Sequence, residues 1–287
     1  MTSPEIDLFV RHLPEPGVRA FPALGLSLLH SHSQQAPSNA WHEPSLVYVL
    51  QGSKHGQLGG QRFAVGAGEV LLIHLPQVMS CETSLIQDQP FLALALSIDM
   101  DLVAELLLSG SALSEMPPRE PSSQAVATQS QGDRLALARL LSALDSPMDQ
   151  HILGPALRRE LHHHALCSPM GAVLRQMVNE GSRAWVLWRV VQQMRADLSH
   201  TPEISQLAKS TAMSESAFFA AFKRQLGSSP LQYLKQLRLQ RARQLMGLQG
   251  FGVAQAAFAV GYASASQFSR EYRQWFGHPP REAARWL

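Results

Sequence analysis

The last quarter of the chain carries one pattern twice, fifty residues apart. Ser214, Ser216, Phe218, Phe222, Lys223, Gly227 and Pro230 recur as Ser264, Ser266, Phe268, Tyr272, Arg273, Gly277 and Pro280. Seven matches at one offset mark an internal structural repeat. In each copy a serine suited to cap a helix is followed at four and eight residues by aromatic side chains on one face. Gly227 and Gly277 then stand where helices end in the left-handed conformation, and Pro230 and Pro280 open the next segment. A short apolar helix is predicted before each copy, over Glu203 to Lys209 and Val253 to Ala259. Helix, tight turn and second helix make a unit of the kind that reads DNA.

Leu231 to Met246 lies between the two units as a predicted helical rod of roughly 24 Å, studded with Lys235, Arg238, Arg241 and Arg243. A stiff connector fixes the separation of the units and suits successive major grooves about 34 Å apart. Charge supports the same partner. The whole chain carries a net +2, yet residues 1–180 hold 10 Lys and Arg against 17 Asp and Glu, whereas residues 181–287 hold 14 against 5. The halves therefore carry −7 and +9, which concentrates attraction for phosphate in the second.

A length of 287 residues suits two domains, with a boundary expected at about residue 180. Two cysteines give no disulfide framework, and Met1 to Val10 carries Glu5 and Asp7 rather than an export signal. No apolar run reaches the length of a membrane span, so the cytoplasm is the expected compartment. From about 20 to 100 short extended segments alternate with glycines, with strands predicted at Ser45–Gln51, Gln61–Val65, Glu69–His74 and Phe91–Ile98. The alternation of large and small residues over Phe91–Leu96 suits a small antiparallel barrel. From about 100 to 180 leucines recur with helical period at Leu102 to Leu107, Leu137 to Leu144 and Leu153 to Leu161. Ser109 to Gln131 between them reads as an exposed loop. The leucine faces suit either covering the barrel or pairing with a second copy of the chain. The fold class is α+β: an antiparallel barrel with helices, then an all-α domain.

Several of these segments carry a family resemblance. Pro202-Glu203-Ile204, Met213-Ser214, Phe222-Lys223, Gly227, Ser229-Pro230, Arg238-Leu239, Val260-Gly261-Tyr262, Phe268-Ser269-Arg270 and Phe276-Gly277 resemble the AraC/XylS type of bacterial transcription regulator. Trp41-His42, Leu50-Gln51-Gly52-Ser53-Lys54, Gly68-Glu69-Val70-Leu71-Leu72 and Pro90-Phe91-Leu92 are similar to the cupin-like regulatory domain of one subgroup. The resemblance implies a cytoplasmic DNA-binding regulator, not an enzyme. Its N-terminal domain would sense an effector and dimerise, and its partners would be double-stranded DNA, a small molecule, a second copy and RNA polymerase.

By the same resemblance, base edges meet the first turns of each recognition helix. In the second unit these are Ser266, Gln267, Ser269 and Arg270, with Ser264 as the cap. Arg270 is the expected specific contact, since a guanidinium can bond guanine at two acceptors. Gln267 suits base reading and equally a capping box with Ser264. The first unit presents Ser214, Ser216, Phe219 and Ala220, with Phe219 placed to meet a thymine methyl or to tuck against a neighbouring helix. Lys223, Arg224 and Arg273 are expected on the phosphate backbone.

Trp41, Tyr48, Phe63, Met79 and Cys81 are the expected lining of an effector pocket inside the barrel. Cys81 reads as a core residue rather than a reactive thiol, having no neighbouring cation in sequence. His42, His55 and His74 lack the spacing of cupin metal ligands, so neither metal nor other cofactor is expected. His162-His163-His164 reads as solvated helix surface. Two other functions compete with regulation: a metal-binding cupin enzyme or sensor fused to the reading module, and a nonspecific nucleoid-associated protein. The first needs a catalytic constellation, and no recognisable motif supplies one. The second should show no preference among duplexes at raised salt.

Overall fold

The computed structural model describes residues 4–32, 35–58, 61–84, 89–110 and 126–285. Helix α1 (Pro4–His12) leads into nine strands: β1 (Gly17–Phe21), β2 (Leu26–Ser31), β3 (Gln35–His42), β4 (Ser45–Gln51), β5 (Ser53–Leu58), β6 (Gln61–Gly66), β7 (Glu69–Ile73), β8 (Gln77–Ser84) and β9 (Phe91–Ser97). Helix α2 (Met100–Ser109) and a short strand β10 (Val126–Thr128) follow. The remainder is helical: α3 (Gln131–Ala143), α4 (Pro147–Cys167), α5 (Gly171–Val178), α6 (Arg183–Ala196), α7 (Ile204–Ser210), α8 (Glu215–Leu226), α9 (Pro230–Leu248), α10 (Val253–Ala259) and α11 (Ala265–Phe276).

The strands form two antiparallel sheets, ordered β1-β2-β9-β4-β7-β10 and β3-β8-β5-β6. Between them lies an apolar layer with Val49, Leu71, Ile73, Phe91 and Ala93 from the first sheet and Leu58, Phe63, Val65, Met79 and Cys81 from the second. The other face of the first sheet presents Leu26, Leu28, Leu46, Tyr48, Leu92, Leu94 and Leu96 to the helices. The alternation in Phe91–Leu96 is thereby explained: Leu92, Leu94 and Leu96 meet the helix layer, while small Ala93 faces the interior between the sheets.

Leu137, Leu140, Leu141, Leu157 and Leu161 bury against that sheet face, each adding roughly 1.5–3 kcal/mol by leaving water. The leucine faces therefore do cover the sheets. Leu153 departs from this pattern and is exposed together with Leu135, Met148 and Ile152. The expected loop at Ser109–Gln131 falls largely on residues 111–125, which lie outside the described residues. Its end is a strand instead, because Val126–Thr128 pairs antiparallel with β7.

The histidine run also differs from the surface reading. His162 is fully buried, with Nε2 accepting from the Asp99 amide at 3.0 Å and Nδ1 paired with the Arg158 carbonyl at 2.8 Å. His164 lies 3.4 Å from Asp133, and only His163 of the three is exposed. Consecutive helical residues point about 100° apart, so one of three adjacent histidines on a half-buried helix meets the core.

Helix α9 joins two separate cores. Tyr233, Leu234 and Leu237 sit with Leu187, Val190, Phe218 and Phe222 in one. Leu239, Ala242, Leu245 and Met246 sit with Val260, Tyr262, Phe268 and Tyr272 in the other. No described helix is long and apolar enough to cross a membrane.

Candidate nucleic-acid interface

The duplicated sequence folds into duplicated geometry. Ser214 caps α8 through the Ala217 amide, and Ser264 caps α11 through the Gln267 amide, both at 3.3 Å. Gly227 and Gly277 end the two helices at φ 72° and 80°, each amide donating to a carbonyl four residues back at 2.9 Å. The core of each unit is a small cluster of tilted and edge-on aromatics: Phe218, Phe222 and Tyr233 in the first, and Tyr262, Phe268 and Tyr272 in the second, with neighbouring ring centres 5.3–5.6 Å apart. The turns differ by one residue, since Met213 bonds back to Ala208 and Tyr262 to Ala257 while the serine caps are fifty apart.

Aromatics at every fourth position turn inward and leave the opposite face to solvent. On α8 that outer face carries Ser216, Phe219, Ala220, Lys223 and Arg224, all exposed. Phe219 is 37 % exposed and meets Phe218 edge-on. On α11 the outer face carries Ser266, Gln267, Arg270 and Arg273. Ser269 is half-buried, and its hydroxyl donates to the Ala265 carbonyl at 2.8 Å, which removes it as a donor to bases. Gln267 does not close a capping box; its side-chain amide donates to Glu271 Oε1 at 3.3 Å.

The basic residues fall into two groups. Lys223, Arg224, Arg270 and Arg273 are exposed and form no ion pair among the described residues. The cations of the rod are engaged within the protein. Lys235 lies 3.1 Å from Glu271, and Arg238 donates to the carbonyls of Leu198 and Ser199 and to the Thr201 hydroxyl. Arg243 lies 5.0 Å over the Phe276 ring. Helices α8 and α11 thus carry exposed cations without an ion pair among the described residues, whereas three of the four rod cations are engaged within the protein.

The sheets grip the first unit. Leu75 is fully buried in that unit's core beside Phe218 and Tyr233. Arg195 binds both oxygens of Glu43, at 2.7 and 3.0 Å, and the Tyr233 hydroxyl donates to the Pro76 carbonyl at 2.5 Å. His74 pairs with Gln225, at the end of α8, at 3.2 Å. Burial pushes the His74 pKa down, against a smaller upward effect of Gln225, and burial with Lys54 nearby holds His42 down at about 4. The His42 ring is closed to water at Nε2 although the residue as a whole is partly accessible.

The five residues expected around an effector do not all converge. Phe63, Met79 and Cys81 share the layer between the sheets, and Cys81 is buried there as a core residue. Tyr48 points the other way, into the helix layer, because it precedes interior-facing Val49 by one position in the strand. The Trp41 ring lies 5.8 Å from that of Tyr233, tilted by 47°, and lines a cleft of about 730 Å³ between the sheets and the helical units. His42, His55 and His74 stay apart, and among the described residues no three metal-ligating side chains gather. Sequence reasoning missed Leu75, Glu43 and Arg195, whose roles come from contacts more than a hundred residues away in sequence.

Comparison with known proteins agrees with this architecture. Residues 22–173 match the family described as AraC-type transcriptional regulator N-terminus, and residues 207–285 match a helix-turn-helix domain. The chain belongs to the AraC-type transcriptional regulators. It is 31% identical over 151 residues to the regulator GbdR of Pseudomonas aeruginosa, covering 48% of this chain and 40% of that protein. It is 36% identical over 96 residues to the activator RclR of Escherichia coli, covering 33% and 34%. These matches thus span less than half of either relative. In three dimensions the chain resembles a point variant of ToxT from Vibrio cholerae in its apo form, with a TM-score of 0.64 over 91% of this chain and 97% of that one, at 12% identity. It also resembles wild-type ToxT with an unsaturated fatty acid bound, with a TM-score of 0.61 at 11% identity and coverage of 90% and 94%. At such identity the likeness speaks for the fold.

Proposed function

We propose that the chain is a sequence-specific DNA-binding regulator whose two helix-turn-helix units read successive major grooves of one duplex. The observation that carries this reading is the pair of serine-capped recognition helices with unpaired cations on their exposed faces. Residues 181–287 form the reading domain, with helix 231–246 as its linker, and residues 1–180 form the sensing and dimerising domain. Arg270 and Gln267 read bases, Phe219 meets a thymine methyl, and Lys223, Arg224 and Arg273 hold phosphates. Ser214, Ser216, Ala220, Ser264 and Ser266 complete the surface that faces the groove.

A small-molecule effector enters the layer between the sheets at Phe63, Met79 and Cys81, a placement favoured by its apolar interior. Leu135, Met148 and Ile152, exposed apolar residues of α3 and α4, are offered to a second copy. RNA polymerase and a cytoplasmic setting follow from the family's role in transcription.

The test is selection from a random duplex pool at 150–200 mM salt, roughly where nonspecific binding is suppressed. Wild type should enrich one motif. Arg270→Ala should relax preference at one base position at a cost of about 1–3 kcal/mol, while Lys223→Ala weakens all duplexes alike and lowers the salt slope by about 1. Identical preference profiles and slopes for both variants would refute the assignment.

A further inference from the structure

We infer that Glu271 is a positioning residue for DNA reading, clamping the second recognition helix to the linker so that the two units read at one fixed spacing. This rests on the DNA-reading function proposed above.

A carboxylate on a recognition helix repels phosphate unless its charge is compensated, and Glu271 takes one ion pair and two hydrogen bonds. Lys235 Nζ lies 3.1 Å from Oε2, the Tyr262 hydroxyl donates to Oε2 at 2.9 Å, and Gln267 Nε2 donates to Oε1 at 3.3 Å. The carboxyl is 17% exposed. Burial raises its pKa, but the bonds from Gln267, Lys235 and Tyr262 outweigh burial and keep it ionised.

The partners come from both units. Lys235 sits on the part of α9 whose neighbours Tyr233, Leu234 and Leu237 are embedded in the first core, whereas Tyr262 belongs to the second and Glu271 to α11, which packs into it. One turn along α9, Arg238 grips Leu198, Ser199 and Thr201 at the entry to the first unit. Gly261 backs onto the same Leu198 and Ser199 carbonyls, where a Cβ would stand 2.8 and 2.5 Å away. Two adjacent cations of the rod therefore clamp opposite units, and the angle between the recognition helices does not depend on the bending of α9 alone. Glu271 also fixes the amide of Gln267 one turn before it, which leaves the rest of that amide to face the groove. Lys235 is consequently part of the clamp and not a phosphate contact.

The experiment uses the full chain and the duplex it selects, with and without one base pair inserted between the half-sites. The insertion displaces them by about 3.4 Å and rotates them by about 35°. Wild type should lose about tenfold or more in affinity on insertion. Glu271→Gln should lose about threefold or less and should broaden the base profile at the position under Gln267. The exchanged pair, Lys235→Glu with Glu271→Lys, should regain the wild-type insertion penalty. Lys235→Gln should leave the salt slope unchanged. An unaltered penalty and base profile in Glu271→Gln, or a slope reduced by about 1 in Lys235→Gln, overturns the inference. A wild type that enriches no sequence instead overturns the DNA reading, and the clamp's role with it.

Discussion

Ala212 and Gly261 hold the same left-handed backbone conformation, φ 54° and 86°, at the turn of each unit. Their surroundings give opposite expectations. Ala212 is exposed and bears the strain of its Cβ, so Ala212→Gly should stabilise the protein by up to about 1 kcal/mol. Gly261 lies against backbone carbonyls that cannot move aside, so Gly261→Ala should cost about 2–4 kcal/mol. Denaturant midpoints at constant m-value would check both. The outward direction of Arg270 and Lys223 was legible in the sequence, because helical period sets it, whereas the roles given to them come from the family resemblance. Ser269 was not legible, since its hydroxyl turns back on the helix, and neither was Glu271, whose partner Lys235 lies on another helix. His42 adds a pH dependence. Unfolded, it takes up a proton near its ordinary value of 6.5; folded, only near 4. The unfolded state thus binds more protons in this window, and stability should fall as pH drops from about 6.5 towards 4. His42→Gln should reduce the slope of that part of a plot of unfolding free energy against pH, with buried His74 and His162 carrying the remainder.

The recognition helices were legible as elements because cap, aromatic spacing and terminal glycine all point to the same boundaries. The second sheet was less so. β3, β5 and β8 are rich in Gln, Ser and Gly, and they become strands through pairing with one another rather than through propensity. The segment after β7 holds a feature that no local pattern announces: Leu75 leaves the sheets and completes the core of the first reading unit. Leu75→Ala should cost about 2–4 kcal/mol, expressed in the first unit and not in the second. Hydrogen exchange would locate the loss, with faster exchange in α8 and unchanged rates in α11. Equal acceleration in both units would contradict this placement.

At the scale of the molecule, charge and repetition separate a basic half with two helix-turn-helix units from an acidic half that grips the first of them through Glu43, Pro76 and Leu75. The charge contrast was visible in composition, but the grip was not, because it joins residues far apart in sequence and depends on how two finished folds meet. The same molecule has one helix planted in both reading cores, and the separation of the two recognition faces follows from that arrangement. Footprinting the full chain on its selected duplex measures that separation directly. Two protected segments on one face, centred about one helical turn apart, are expected, each weakened by substitutions in its own recognition helix. A single protected segment, or protection without preferred sequence, would contradict the two-groove reading.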